Sequence, residues 1–470
     1  MEDTTPLLNH SSGDHICVYR RRWYILAVYG ILSFTQAAVW NTWGPLSTTC
    51  EEAFGWHVST IAWMSNWGPI AYITTGFFFF WLLQAKGLRP AVLVSAFLLA
   101  VGTVLRVITS DPEVATLLIH VGQFLCGLSG PIAFACPPTI SALWFPPHER
   151  VTATSIGSSA GLFGIAISFI IGPAVVGSYV EVVNESDVLR DQLNQVTSVK
   201  GLSLRVHQER MGIMQFMYYE CIWSIVTFLL ILCYFPSMPP HPPSASAIVE
   251  RESYWSGLWS LRHKSYFLVM AFIYGISTGV LNGWYTVLNV NLSNLNISES
   301  QAGWIGFYST LSSCICALVV GRFADTFVRR MKQLILVIFV LAAVCFLVFA
   351  LMLAQVLDYS EVTLYFTLIV GCSLLNAAVP LMCELSCELA YPTSEGAANG
   401  FLTYLNSVAV MLFLVVFSFP DVGTVWINWA LIGAIIICIP LIALLKGRFN
   451  RLEIDEELQR ALYLTKTHAA

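Results

Sequence analysis

Two glutamates, Glu384 and Glu388, stand four residues apart in "PLMCELSCELAYPTSEGAANG" (380–400), at the end of a long apolar run. That spacing puts both carboxylates on one face of a helix. A carboxylate persists at membrane depth when a cation pairs with it or a proton neutralises it. The pair therefore offers charge latching first and proton carriage second. Arg150 and the Arg329/Arg330 pair are the cations expected to meet it.

Other titratable groups sit in apolar runs. His120 and Gln123 lie at i and i+3 in "LLIHVGQFLCG". An unperturbed imidazole titrates near about pH 6.5 and would charge in an acidic compartment. His120 is thus a candidate proton sensor, with a neutral helix-packing histidine as the alternative. Glu220 and Arg106 are expected either to form an ion pair that closes one side, or to leave Glu220 free to carry a coupled proton. Walker loops, metal-ligand clusters and nucleophile constellations are not evident, so neither an enzyme nor an ATP-driven pump is expected, and no cofactor or metal.

Aromatic and amide side chains form a third set. Gln36, Trp40 and Trp43 fall at i, i+4 and i+7 with Asn41 beside them, a stripe suited to sandwiching a flat ring or holding a cation over a π face. An interfacial tryptophan belt is the alternative. Trp63, Asn66 and Trp67 make a second stripe, and Tyr274, Thr278, Asn282 and Tyr285 a third. Asn376 stands on one line with Pro380, Glu384 and Glu388, and Asn399, Thr403 and Asn406 share another stripe. Polar atoms at this depth face protein or water, either a solute or neighbouring helices.

The elements that position these residues are membrane helices. The 470 residues are 57% hydrophobic and 11% charged, against about 25% charged in soluble domains. Runs of the roughly 20 apolar residues needed to cross a bilayer recur at 22–47, 58–84, 90–109, 114–142, 151–179, 212–235, 265–290, 301–322, 332–354, 361–387, 396–419 and 425–446. This predicts an all-α polytopic protein with twelve spans. The thirteen cysteines fall mostly in or beside spans and read as small packing residues. The net charge of −5 points to no particular partner. Eighteen of the 23 Lys and Arg residues lie in the N-terminal arm, the even-to-odd loops and the tail, which places both termini in the cytoplasm by the positive-inside rule. The glycosylation acceptors Asn184, Asn291 and Asn296 fall on the opposite side.

The chain is internally duplicated. "FPPHERVTA" after span 4 returns as "YPTSEGAAN" after span 10, with Pro146 and Glu149 matching Pro392 and Glu395 at an offset of 246. The organisation expected is an arm (1–21), a six-helix half (22–235), a Pro/Ser-rich linker (236–264), a second half (265–446) and a tail (447–470). Two six-helix halves in a parallel repeat are the architecture of the major facilitator superfamily. "GRFADTFVRRMK" resembles that superfamily's signature loop, with Asp325 and Arg329 or Arg330 as its charge pair. The counterpart "WLLQAKGLRP" has Gln84 where an acid is expected.

"VWNTWGPL", "LWFPPHERVTAT", "AGWIGF" and "ELSCELAYPTSEG" together resemble solute carrier family 49 over nearly the whole chain. The resemblance implies a carrier of small cofactor-like or cationic solutes, with Trp40 where the family's choline and haem carriers have a cavity tryptophan. It further implies a proton-driven export of pyridoxine (vitamin B6) from the lysosome, as in the family's lysosomal member. Choline, another organic cation or a haem-like solute is the alternative cargo, and a non-transporting lysosomal sensor or scaffold the alternative role. "DTTPLL" fits the same picture: Asp3 with Leu7 and Leu8 has the acidic dileucine spacing read by clathrin adaptor complexes, with a chance match of a short pattern as the alternative. The expected partners are thus a small solute, protons, the lipid bilayer and those adaptors, with no nucleic acid.

Overall fold

The computed structural model describes residues 17–191, 198–244, 254–293, 297, 299–326, 328–358, 360–417, 419, 425–445, 451–453 and 456. Among the described residues there is no strand, and twelve helices are long and apolar enough to cross a membrane. Spans 1 to 6 are Arg21–Trp40, Ser59–Lys86, Leu88–Arg106, Pro112–Ala135, Pro147–Gly177 and Arg205–Cys233. Spans 7 to 12 are Ser265–Thr286, Gln301–Ala324, Met331–Leu353, Glu361–Ala390, Glu395–Phe417 and Trp426–Leu444.

The duplication is visible in the packing. Span 1 packs on span 5, span 2 on span 4, and span 3 on spans 4 and 6; span 7 repeats this on span 11, span 8 on span 10, and span 9 on spans 10 and 12. The halves meet along span 5 against span 8 and span 2 against span 11. Between membrane helices the attraction is close packing rather than hydrophobic burial, so small residues mark the tightest approaches. A Cβ on Gly102 of span 3 would stand 2.7 Å from the Gly122 carbonyl of span 4. Across the halves, a Cβ on Gly400 would stand 2.5 Å from the Phe80 ring.

Helix breakers move several boundaries from the sequence expectation. Span 1 stops at Trp40, ahead of Gly44 and Pro45, and the short helix Ser47–Phe54 follows. Span 4 ends at Ala135 because Pro137 and Pro138 open a separate helix, Pro137–Trp144. Span 6 begins at Arg205 and not near 212, which carries Glu220 from the expected start of the span to its middle.

Candidate functional site

A cavity between the halves encloses about 1200 Å³ of empty space, part of it continuous with solvent. Its wall comes from spans 1, 2, 4, 5, 7, 8, 10 and 11. Ser33, Gln36 and Trp40 of span 1 face Tyr274, Thr278 and Asn282 of span 7, with Tyr72, Asn376, Thr403 and Asn406 completing the polar wall. No Asp, Glu, Lys, Arg or His is among the lining residues. Asn406 Nδ2 donates to Thr278 Oγ1 at 2.7 Å, and Asn376 Nδ2 to Ser313 Oγ at 3.3 Å. Gln36 Oε1 is buried without a hydrogen-bond partner, an acceptor of a kind that normally finds a donor.

Proline chemistry sets the position of Trp40. Pro69 within span 2 has no N–H to give to the carbonyl four residues back, that of Ser65. The Trp40 indole N–H donates to this carbonyl at 3.3 Å. Gly68 allows the approach, since a Cβ there would lie 2.6 Å from Trp40 Nε1. Pro137 likewise frees the Ala133 carbonyl, which accepts from Tyr29 Oη at 2.6 Å and Ser33 Oγ at 3.3 Å.

Several residues expected at the cavity are not on its wall. Trp43 leaves the Gln36–Trp40 face because the helix ends at Trp40; it is buried under the Arg106 guanidinium, 4.9 Å from its ring centroid, and edge-on to Trp56. Asn41 donates to Ser168 Oγ at 2.8 Å. Asn66 is buried off the wall, and Trp63 of the same stripe is exposed and also off it. Trp67 Nε1 donates to His120 Nδ1 at 2.8 Å, and Gln123 Nε2 donates to the Trp40 carbonyl at 3.3 Å. Tyr285 packs on Trp284. His120, Gln123 and Trp67 thus form a layer directly behind Trp40 and Gly68.

On the face where span 1 begins and span 12 ends, here the terminal face, the halves are joined beneath the cavity. Thr154 and Ser141 donate to Glu384 Oε1 at 2.6 and 3.2 Å, Ser394 Oγ donates to Gln84 Oε1 at 2.9 Å, and the Tyr72 and Thr403 hydroxyls are hydrogen-bonded. The cation that meets Glu384 and Glu388 is neither Arg150 nor Arg329. It is Arg451, from the tail: Nη2 lies 2.7 Å from Glu384 Oε2 and Nε 3.0 Å from Glu388 Oε1. All three side chains are buried. Burial alone would lower the Arg451 pKa, but Glu388 and Glu384 overcome this and hold it well above the ordinary arginine value. Arg150 instead donates to Ser244 Oγ in the linker at 2.6 Å, and Arg329 pairs with Glu456 at 2.8 Å. The repeat-related acid Glu149 pairs with Arg22 at 3.0 Å.

Arg106 and Glu220 do form an ion pair, at 2.9 Å, with Thr42 donating to the second carboxylate oxygen at 2.6 Å. All three belong to the N-terminal half, so the pair fastens spans 3 and 6 to the turn after span 1 and does not close a gate between halves. Asn291 is not available as a glycan acceptor here: it is buried and exchanges amide hydrogen bonds of 2.8 and 3.0 Å with Asn428. Asp3, Leu7, Leu8 and Asn296 lie outside the described residues, as do the side chains of Asn184 and Asp325.

Sequence reasoning missed Tyr72, Ser33 and Arg451. The prolines Pro69 and Pro137 were a usable signal for the span 1 contacts, because each marks a freed carbonyl four residues earlier. For Arg451, more than sixty residues from its partners, the sequence carries no comparable signal.

The Major Facilitator Superfamily model matches residues 28–414. The chain is 33% identical over 460 residues to the solute carrier family 49 member 4 homolog of Xenopus laevis, covering 96% of each. It is 25% identical to the choline/ethanolamine transporter FLVCR1 of Mus musculus, over 93% of this chain and 77% of that one. The crystal structure of the human organic anion transporter MFSD10 superposes with a TM-score of 0.65 at 12% identity, over 90% of this chain and all of that one (100%).

Proposed function

Because the chain belongs to solute carrier family 49 of the Major Facilitator Superfamily, we propose that it is a lysosomal, proton-coupled carrier that moves pyridoxine from lumen to cytosol by alternating access. The terminal face is then cytoplasmic, both termini lie there, and the form described is closed towards the cytosol. The observation that carries the substrate class is the wall itself: Trp40, Tyr72 and Tyr274 beside the unpartnered Gln36 Oε1, with no charged side chain. Such a wall suits an uncharged aromatic ring that brings hydroxyl donors, and it offers a permanent charge no counter-ion. Retention in the lysosome rests on Asp3, Leu7 and Leu8.

The second reading is choline or a related organic cation. It is favoured by the Trp40 face on the wall, which can hold a cation by its π electrons, and by the name of the mouse relative. The sensor or scaffold role has no such observation behind it.

The test is uptake of labelled pyridoxine by cells expressing a Leu7→Ala/Leu8→Ala variant, which should turn the lumenal face outward at the plasma membrane. Uptake that is larger at about pH 5 than at about pH 7.5, competes poorly with choline and is lost in Trp40→Ala supports the reading. Uptake of choline alone would select the second reading, and no uptake of either, with protein at the surface, would overturn both.

A further inference from the structure

We propose that Arg451, which lies beyond the last span, is a positioning residue of the gate: the tail acts as a bolt that holds the terminal face shut. The inference rests on the transporter reading but not on the identity of the solute.

One guanidinium connects three parts of the molecule. It reaches Glu384 at 2.7 Å and Glu388 at 3.0 Å, and Nη1 approaches Glu395 at 3.5 Å. Glu388 also grips the tail backbone, since its Oε2 accepts the N–H groups of Arg451 and Leu452 at 3.0 and 3.2 Å. The far oxygen of Glu384 holds Thr154 and Ser141 of the other half. The tail is tied down a second time by Glu456 on Arg329.

The linkage makes Arg451 worth more to one state than to the other. With the terminal face closed, Glu384 and Glu388 are 1% and 3% exposed, and buried carboxylates need a paired cation. With that face open, water reaches them and replaces much of what Arg451 supplies. A group that favours one of two states shifts the balance by that difference. The device is one-sided: at the repeat offset of 246 the N-terminal half carries Pro138 and Ala142 in place of the two glutamates. The first half brings hydroxyls to the gate, the second brings acids, and the tail brings the charge that lets the acids stay there.

Cys383 provides a native reporter, as it lines the cavity next to Glu384. Full-length protein in sealed vesicles of known sidedness would be treated with a membrane-impermeant thiol reagent, and modification of Cys383 read by mass spectrometry. Arg451→Ala should raise its rate from the terminal face about tenfold or more and lower it from the opposite face. Arg451→Lys, which keeps the charge, should return the rate towards that of the unmodified chain. Glu384→Gln/Glu388→Gln/Arg451→Gln should also return it in part, because the two carboxylates that lean most on Arg451 are then uncharged.

An unchanged rate in folded Arg451→Ala would overturn the proposal. So would equal gains from both faces, the mark of a loosened fold. The labelling needs no solute, so a shifted rate without pyridoxine uptake would sink the substrate reading and leave the bolt standing. Normal uptake with an unmoved labelling rate would do the reverse.

Discussion

Thr154 on span 5 donates a 2.6 Å hydrogen bond to Glu384 on span 10, across the boundary between the halves. Both groups are buried, and the second oxygen of the same carboxylate faces Arg451. The bond joins the two halves in this closed form, so on the gate reading it should favour the closed terminal face over the open one. Replacing Thr154 by Val keeps the shape and removes the donor. A hydrogen bond to a charged group contributes about 1.5–3 kcal/mol, so the population should move roughly ten- to a hundredfold towards the terminal-open form. Cys383 labelling from the two faces measures this, and equal rates in both proteins would remove Thr154 from the gate.

Gly68 and Trp40 give a test of the cavity wall that leaves every wall side chain chemically intact. A methyl at position 68 would lie 2.6 Å from Trp40 Nε1 and 3.0 Å from Cδ1, so the indole must swing off the Ser65 carbonyl. Gly68→Ala should raise the KM for uptake about tenfold while the amount of protein in the membrane stays near normal, because the atom that yields belongs to a side chain and not to the backbone. An unchanged KM would mean that the position of the ring does not matter to binding.

Arg106 and Glu220 are fully internal to the N-terminal half, so they should govern stability. Removing one partner of a buried pair leaves an uncompensated charge and costs about 3–5 kcal/mol. Glu220→Ala should therefore lower the thermal midpoint of the purified protein markedly, and Arg106→Met/Glu220→Leu should recover much of the loss. If Glu220→Ala were as stable as the parent but lost the pH response of uptake, Glu220 would instead be a carrier of protons.

The twelve spans, the repeat and half of the cavity were legible in the sequence because apolar run length and helical spacing are local properties. Gln36, Trp40, Asn282 and Asn376, picked out by that spacing, do line the wall. Trp43 did not, since the stripe argument assumes a helix that Gly44 and Pro45 end. Trp67 and Gln123 show a second limit: a polar residue at membrane depth bonds to whichever helix lies nearest, here His120 and the Trp40 carbonyl, and only the packing says which that is. Arg451 shows the third. Charge counting groups it with the other basic residues after the last span, but a guanidinium's partner is fixed by tertiary structure, and the sequence expectation falls on the loop cations Arg150, Arg329 and Arg330.

His120 and Trp67 supply the proton argument. An indole N–H can only donate, so His120 Nδ1, 2.8 Å away, must present its lone pair, and the ring in this form is neutral with its proton on Nε2. A second proton on Nδ1 would set N–H against N–H and break the bond. Trp67 is bonded in sequence to Gly68, on which Trp40 rests, so a shift of Trp67 would act right beside the cavity wall. Acid on the face opposite the termini should thus change how the wall meets its solute. His120→Gln keeps an acceptor for Trp67 but cannot titrate, so it should transport at about pH 7.5 much as the parent does and lose the gain seen at about pH 5. Trp67→Phe, which cannot make the bond, should lose the same gain by a different route. A full acid response in both variants would place the coupled proton elsewhere.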